Sequence, residues 1–338
     1  MMRVQVNGFV TLWPILLAVG ALALLSARSA FADDGKYTVA AVQTELRFYA
    51  SAQEYAAHMA ERMAAAMKFK PDLVVFPEDI GLPIVVLGDQ DALVGATSLH
   101  EAIAAMVQKH MAEIGPICAK YGVSPQRALF LLKSDQVKQL YRDTFSELAR
   151  ENRTNIVAGS VPMKFQYAPS AVYNVSCEFS ATGRMHIVAK KVHPIDIELA
   201  DGLDLSPATP EDSVPFNAGD ARIGCLVCAD AWDPAMARRL VEKGAEILVQ
   251  VSANPSIWTP EEQARWHEGL WTRVQELGVY GVTCMGVGNL VGLPFEGVTQ
   301  VQAPAAWTDD ATGVIKEATT ATGEAVVAAT LDMSRVRK

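Results

Sequence analysis

A thiol, a carboxylate and an ammonium, each placed directly after an apolar stretch, can together make and break an acyl bond. Cys228 ends the run Arg222-Ile-Gly-Cys-Leu-Val-Cys228, and polar Asp230 and Asp233 follow it. Pro234 then opens an amphipathic pattern in which Met236, Leu240 and Val241 oppose Arg238, Arg239 and Glu242. A thiol at a strand-to-helix turn lies near the positive end of the helix dipole, which favours the thiolate. Glu78 follows the apolar stretch Leu73 to Phe76, and Lys191 follows Met185 to Lys190. With their strands as neighbours in one sheet, the three groups meet at one edge. There Glu78 takes the thiol proton, Cys228 attacks a carbonyl or nitrile carbon, and Lys191 stabilises the charge that develops. Glu78 then activates the water that releases the acid.

The elements that must carry these residues alternate between strand and helix. Lys36 to Gln43 reads as a first strand, Ala52 to Met67 has helical spacing, and Asp72 to Phe76 is a buried strand. That β-α-β unit leaves Glu78 at a strand end, where open α/β sheets place their sites. Ser98 to Tyr121 and Ser124 to Asn152 are helical, the latter in one or two pieces. Strands resume at Asn155 to Ser160, Val172 to Cys177 and Met185 to Lys190, and 204–218 reads as a loop. Beyond Cys228 come a strand at Glu246 to Val251, a helix from Pro260 to Leu277 and a strand at Tyr280 to Met285. Later strands fall near Gly297 to Gln302 and Ala325 to Leu331. The pattern predicts one α/β domain.

Taken in order, these motifs resemble the nitrilase, or carbon–nitrogen hydrolase, superfamily. Phe76-Pro77-Glu78 is similar to its base motif, and Lys190-Lys191-Val192-His193-Pro194 to its lysine motif. Cys228-Ala229-Asp230 with Trp232-Asp233-Pro234 resembles its nucleophile elbow. Asn174, Gly183, Asn254, Arg273, Glu276 and Phe295-Glu296-Gly297 extend the likeness from Thr38 to Val336. The resemblance implies a four-layer α-β-β-α sandwich over 36–336, paired into homodimers or larger homo-oligomers, with no metal or organic cofactor. It also implies an amidase-like enzyme with Glu78 as general base, Lys191 stabilising the oxyanion and Cys228 as nucleophile. Glu198 is similar to a second glutamate that positions substrate and lysine, with Asp196 as its near competitor. The substrate is then a small amide or N-carbamoyl compound. A nitrile, or an acyl transfer in which an amine replaces water, is the alternative. The family often has an aromatic residue where Ala189 and Ala229 stand, so the pocket wall is expected to differ. Asp230, in place of the glutamate more usual in nitrilases, tilts the reading toward amides. The 113 positions between Glu78 and Lys191 are more than the family leads one to expect, which places a helical insertion around 98–138.

Other residues carry blander readings. Cys225 and Cys228 have the spacing of a redox pair, but on an extended strand positions three apart face opposite ways, which makes Cys225 a core residue. Lys190 reads as solvated. Trp258, Trp266 and Trp271 either line an entrance or pack in the core. Asn152 and Asn174 head glycosylation sequons, a short pattern common by chance. His193, Cys118, Cys177 and Cys284 lack metal-ligand spacing.

The N-terminus has its own character. No charge falls between Arg3 and Arg28, and the apolar core ends at Ser29-Ala-Phe-Ala32. This reads as a signal peptide cleaved after Ala32, hence export to a periplasm or beyond. The alternative is an uncleaved membrane anchor. Removing 1–32 takes away two arginines and no acid, moving the net charge from −9 to −11. Such a charge argues against nucleic acid or an anionic membrane surface as partner. An odd number of cysteines in an exported chain points to a free thiol, at risk of oxidation there.

Overall fold

Residues 35–337 are described by the computed structural model, so the segment read as a signal peptide lies outside the described residues. In chain order the elements are β1 (Lys36–Leu46), α1 (Ala52–Met67), β2 (Leu73–Phe76), α2 (Leu99–Lys109), α3 (Met111–Tyr121) and α4 (Pro125–Asn152). They continue with β3 (Asn155–Phe165), β4 (Ala168–Phe179), β5 (Met185–Lys190), β6 (Phe216–Ala218), β7 (Ala221–Val227) and α5 (Pro234–Glu242). The last are β8 (Ile247–Ala253), α6 (Pro260–Trp266), α7 (Thr272–Leu277), β9 (Tyr280–Leu290), β10 (Leu293–Phe295), β11 (Gln300–Gln302), β12 (Val314–Glu317) and β13 (Ala325–Asp332).

Two sheets share the strand β1. Its first half lies between β2, parallel, and β13, antiparallel, and its end at Thr44 to Leu46 pairs with Gly286 to Gly288 of β9. The order across both is β5-β4-β3-β2-β1-β9-β8-β7-β6. Side-chain alternation along the strands then makes the layers. On β1, Val39 and Ala41 face the apolar interior shared with Ile223, Cys225 and Val249, while Ala40 and Val42 face Tyr55, Met59 and Phe145 of α1 and α4. On β7, Leu226 packs with Met236 and Leu240 of α5 and Val274 of α7. The result is the four-layer α-β-β-α sandwich that the resemblance implies.

Several boundaries differ from the sequence reading. The stretch 204–218, read as a loop, ends in β6, which pairs with β7 as an antiparallel edge. Helix 98–121 breaks at His110, whose ring binds Glu113 at 2.5 Å and Asp89 at 3.0 Å. The helix read from Pro260 to Leu277 is interrupted by a wide turn at His267–Trp271, where Gly269 leaves helical geometry (φ −79°, ψ −123°). A β-carbon on Gly269 would lie 3.2 Å from the Trp232 ring, so glycine lets this turn close against that indole. Met106, Ile114, Ala128 and Leu129 give α2, α3 and the start of α4 a small apolar cluster of their own.

Candidate active site

Glu78 and Cys228 follow strands paired on both sides, and Lys191 follows β5, the edge strand next to β4. Glu78 follows β2, and the backbone there is crowded against β3: a β-carbon on Gly159 (φ 62°) would stand 1.8 Å from the Pro77 carbonyl oxygen. Lys191 follows β5, with its N–H donating to the Asn174 carbonyl at 2.9 Å. Cys228 follows β7 in the left-handed region at φ 47°, a strained position for a residue with a β-carbon. All three are buried, at 1%, 2% and 5% exposure.

The side chains form one network. Lys191 Nζ donates to Glu78 Oε1 at 2.8 Å and to Glu198 Oε2 at 2.5 Å. The Cys228 thiol lies beside the Glu78 carboxylate, within reach of its charge. Glu78 Oε2 accepts from the Ala253 N–H at 2.9 Å, which fixes the carboxylate from behind. Asn174 Nδ2 donates to Glu78 at 3.0 Å and to Glu198 at 2.9 Å, bridging the two carboxylates. Its place in this network was not read from the sequence. The available signal was a polar side chain facing inward in a buried stretch of β4. Asn174 is only 2% exposed, so the sequon it heads sits in the protein interior. Of the two acids that competed for the second-glutamate position, Glu198 reaches Lys191 while Asp196 is exposed on the rim of the cleft.

Burial sets the electrostatics. It pushes the Glu78 carboxyl up, and Glu198 adds to this, while the Lys191 charge pulls it back. Burial also opposes the Lys191 charge, but Glu78, Cys228 and Glu198 outweigh it and hold the ammonium. The Cys228 thiol is pushed well up by burial and then by Glu78. The expected help from a helix dipole is absent. Cys228 begins a separate 3₁₀ turn, Cys228–Trp232, and Asp233 caps α5 beyond it. The resting group is therefore a thiol beside a base, and attack requires proton transfer to Glu78.

Cys228 opens on a cleft of about 690 Å³ lined by Ala229, Trp232, Asn254, Arg265, Trp266 and Leu293, among others. Trp232 and Trp266 meet edge to face, 4.9 Å between ring centres. Of the three tryptophans singled out in the sequence, Trp266 lines the cleft and Trp258 packs behind it, 6.1 Å away. Trp271 lies elsewhere, stacked on His267 and bonded to the Thr312 carbonyl. Trp232 supplies an aromatic wall near Ala229. Ala189, in contrast, is buried between the sheets and forms no part of the wall. The loop bearing Trp258 is held from Glu296, whose carboxylate accepts from the Trp258 N–H at 2.7 Å.

Three neighbours have roles other than those their types suggest. Asp230 is fully buried and accepts from the N–H groups of Val192 and His193, at 3.0 and 2.9 Å, so it braces the turn after Lys191. Lys190 is not solvated. It is 6% exposed, its ammonium lies 5.0–5.2 Å from the rings of Phe165, Tyr167 and Tyr173, and it bonds Asp212. Three aromatic faces and a carboxylate replace the water it gives up. Cys225 is buried, with its sulfur 3.3 Å from Ser176 Oγ, and all five cysteines are free thiols. Among the described residues no three His, Cys, Asp or Glu side chains form a metal-holding group, and no helix is long and apolar enough to cross a membrane.

Residues 38–338 match the family model described as carbon-nitrogen hydrolase. The chain is 26% identical over 151 residues to omega-amidase NIT3 of Saccharomyces cerevisiae, covering 43% of this chain. That match spans 50% of the yeast protein's length. The fold is similar to the crystal structure of a carbon-nitrogen hydrolase from Helicobacter pylori, with TM-score 0.63 and 20% identity, covering 90% of this chain and 91% of that one. It is also similar to an amidase from Nesterenkonia sp. AN1 solved with acrylamide, with TM-score 0.61 and 16% identity over 91% and 95% of the two chains.

Proposed function

We infer function from one premise: this chain belongs to the carbon–nitrogen hydrolase family. It is an amidase-like enzyme, and we propose that it cleaves a small amide or N-carbamoyl compound through a thioester on Cys228. One observation carries the reading: a buried thiol beside Glu78, whose carboxylate is itself held by Lys191, faces a cleft.

In this proposal the Glu78 carboxylate takes the thiol proton as sulfur adds to the carbonyl carbon. Lys191, kept charged by Glu78 and Glu198, stabilises the oxyanion. The carbon–nitrogen bond breaks as Glu78 returns the proton to the departing nitrogen, which leaves as ammonia or an amine. Glu78 next deprotonates water, the resulting hydroxide attacks the thioester, and the acid leaves as the thiol reforms. Glu198 acts as a positioning residue by giving the ammonium a second carboxylate partner besides Glu78.

A panel of linear amides, N-carbamoyl compounds and nitriles tests this, read by ammonia release and by intact mass of Cys228 acyl adducts. Amide turnover that vanishes in Cys228→Ala is the expected result. Turnover that persists in that variant refutes the mechanism. Turnover of nitriles alone gives the nitrilase alternative, and an adduct resolved only by added amine gives the acyltransferase.

We further propose that 1–32 directs export and is cleaved after Ala32, that 98–138 is a helical insertion, and that the enzyme works as a homo-oligomer. A secreted protein starting at Asp33 and a light-scattering mass of at least two copies are expected. A secreted chain starting at Met1 refutes the cleavage, and a monomeric mass refutes the assembly.

A further inference from the structure

Cys228 is held in an unfavourable backbone conformation, and one side chain outside the network above touches that backbone. Gln250 lies in the middle of β8, is 1% exposed, and donates from Nε2 to the Cys228 carbonyl at 3.0 Å. Its neighbours on the strand are apolar: Val249 and Val251 face the interior between the sheets, and Leu248 packs under the helices. A glutamine in such a strand costs desolvation that only full hydrogen bonding offsets.

Gln250 is itself fixed from behind. Its Oε1 accepts from Thr283 Oγ1 at 3.2 Å, and Thr283 stands directly opposite it on β9. Thr283 in turn accepts from Gln302 Nε2 at 3.3 Å, and the same amide donates to Gln300 Oε1 at 3.0 Å. Gln300 donates to the exposed Glu317 carboxylate at 2.9 Å. A file of polar side chains thus runs across β8, β9, β11 and β12 from the elbow to the surface. The threonine hydroxyl is spent on Gln250 and its oxygen on Gln302, so the Gln250 amide is not free to flip.

We infer that Gln250 is a positioning residue for acyl transfer, fixing the Cys228–Ala229 peptide plane through the Cys228 carbonyl. In a planar trans peptide the N–H points opposite to the C=O. Anchoring the carbonyl on Gln250 therefore turns the Ala229 N–H away from the sheet, and Ala229 lines the cleft. Ala229 follows the first residue of the 3₁₀ turn, where the N–H has no partner within the turn. That leaves it available to the developing oxyanion beside Lys191. Left-handed geometry is unfavourable at a non-glycine, so without the anchor the plane has reason to relax.

This inference rests on Cys228 being the nucleophile, and the test separates the two. Gln250→Met keeps the side-chain length and removes the donor. The same amide panel gives kcat and KM, and iodoacetamide alkylation of Cys228 gives a reaction at the same sulfur that forms no oxyanion. The expected result is a kcat lower by roughly 10–100-fold, approaching the loss of one oxyanion donor. KM and the alkylation rate should stay within about threefold, since neither uses that donor. Gln43→Met is the control. Gln43 is fully buried, accepts from the Thr299 N–H and donates to the Thr320 and Gly323 carbonyls. Its loss should cost stability and leave kcat within about threefold. Should Gln250→Met not fold, Thr283→Val frees the Gln250 amide while preserving shape, and a kcat loss of roughly tenfold is expected from the weakened orientation. Unchanged kcat in the folded Gln250→Met protein, or in Thr283→Val where only that one folds, overturns the inference. An equal kcat loss in Gln43→Met also overturns it. Persistent activity in Cys228→Ala sinks the underlying mechanism instead.

Discussion

Asp230 Oδ1 lies 2.9 Å from both the backbone nitrogen and the ring Nδ1 of His193. The contact ties the turn after Cys228 to the turn after Lys191, so nucleophile and ammonium are held in register by a residue that does not line the cleft. Asp230→Ala removes the shared acceptor of the Val192 and His193 N–H groups, both only part-buried, at a cost of about 0.5–1.5 kcal/mol each. Thermal unfolding should shift down accordingly, and kcat should fall more than KM rises because Lys191 moves relative to sulfur. Unchanged kcat at reduced melting temperature would assign Asp230 to stability alone.

Asn174 supplies a second such tie. Its single amide nitrogen serves both carboxylates that flank Lys191. Asn174→Ala removes two hydrogen bonds to ionised groups, worth about 1.5–3 kcal/mol each. Activity should drop by at least tenfold. Losing a donor to Glu78 also raises its pKa further, so the acid limb of kcat/KM should move to higher pH. An unmoved limb would show that Asn174 packs without tuning the base.

The pH profile follows from the Glu78 environment. The base must be ionised to accept the thiol proton, and burial pushes its pKa up despite Lys191. Activity should therefore fall with decreasing pH above the ordinary glutamate value of about 4.3. Glu198→Gln removes a like charge, so the limb should shift toward lower pH even as kcat declines from the loosened Lys191. A shift in the opposite direction would mean that Glu198 acts on Glu78 chiefly through Lys191.

How much of this was legible in the sequence depended on distance along the chain. Glu78, Lys191 and Cys228 were legible because each follows an apolar strand. The expectation that those strands are neighbours in one sheet fails: β3 and β4 separate β2 from β5, and β7 lies in the other sheet, so the three strand ends meet across the stacked sheets. Glu198 came only from the family resemblance. Asn174 and Gln250 act across strands, through register, and register is set by tertiary pairing. Lys190 misled for the same reason, because its aromatic cage draws on Phe165, Tyr167 and Tyr173 from the β3–β4 hairpin. The thiolate expected from a helix dipole failed because a 3₁₀ turn and a buried carboxylate intervene.

Asp79 offers a stabilising change beside the site. It is half-buried in the left-handed region at φ 60°, and its carboxylate has no hydrogen bond or ion pair among the described residues. Burial, then Glu78 and Glu198, push its pKa well up. A raised carboxylate pKa means that the folded state loses stability as pH rises through and beyond the ordinary range. Asparagine tolerates left-handed geometry and carries no charge. Asp79→Asn should therefore melt a degree or two higher at pH 7 and show no gain at pH 3, as calorimetry can check.

Glu324 works in the opposite sense, far from the cleft. Its carboxylate accepts from Thr44 Oγ1 at 2.8 Å and the Glu45 N–H at 3.2 Å, and contacts His58 and Arg62 at 2.7 Å each. The start of β13 is thereby pinned to β1 and α1. Burial opposes ionisation, but hydrogen bonds from His58, Thr44 and the Glu45 backbone override it and hold the pKa at about 2. A depressed carboxylate contributes stability that is complete above its unfolded pKa, near 4.5, and is lost as pH falls toward 2. Glu324→Gln should cost about 1.5–3 kcal/mol at pH 7, the worth of charge-assisted hydrogen bonds. The gap between variant and parent should close as the pH of the melt is lowered from 5 to about 2.5, because the parent carboxylate then protonates as well. Melting curves that stay parallel across that range would mean that Glu324 stabilises the junction by shape rather than by charge.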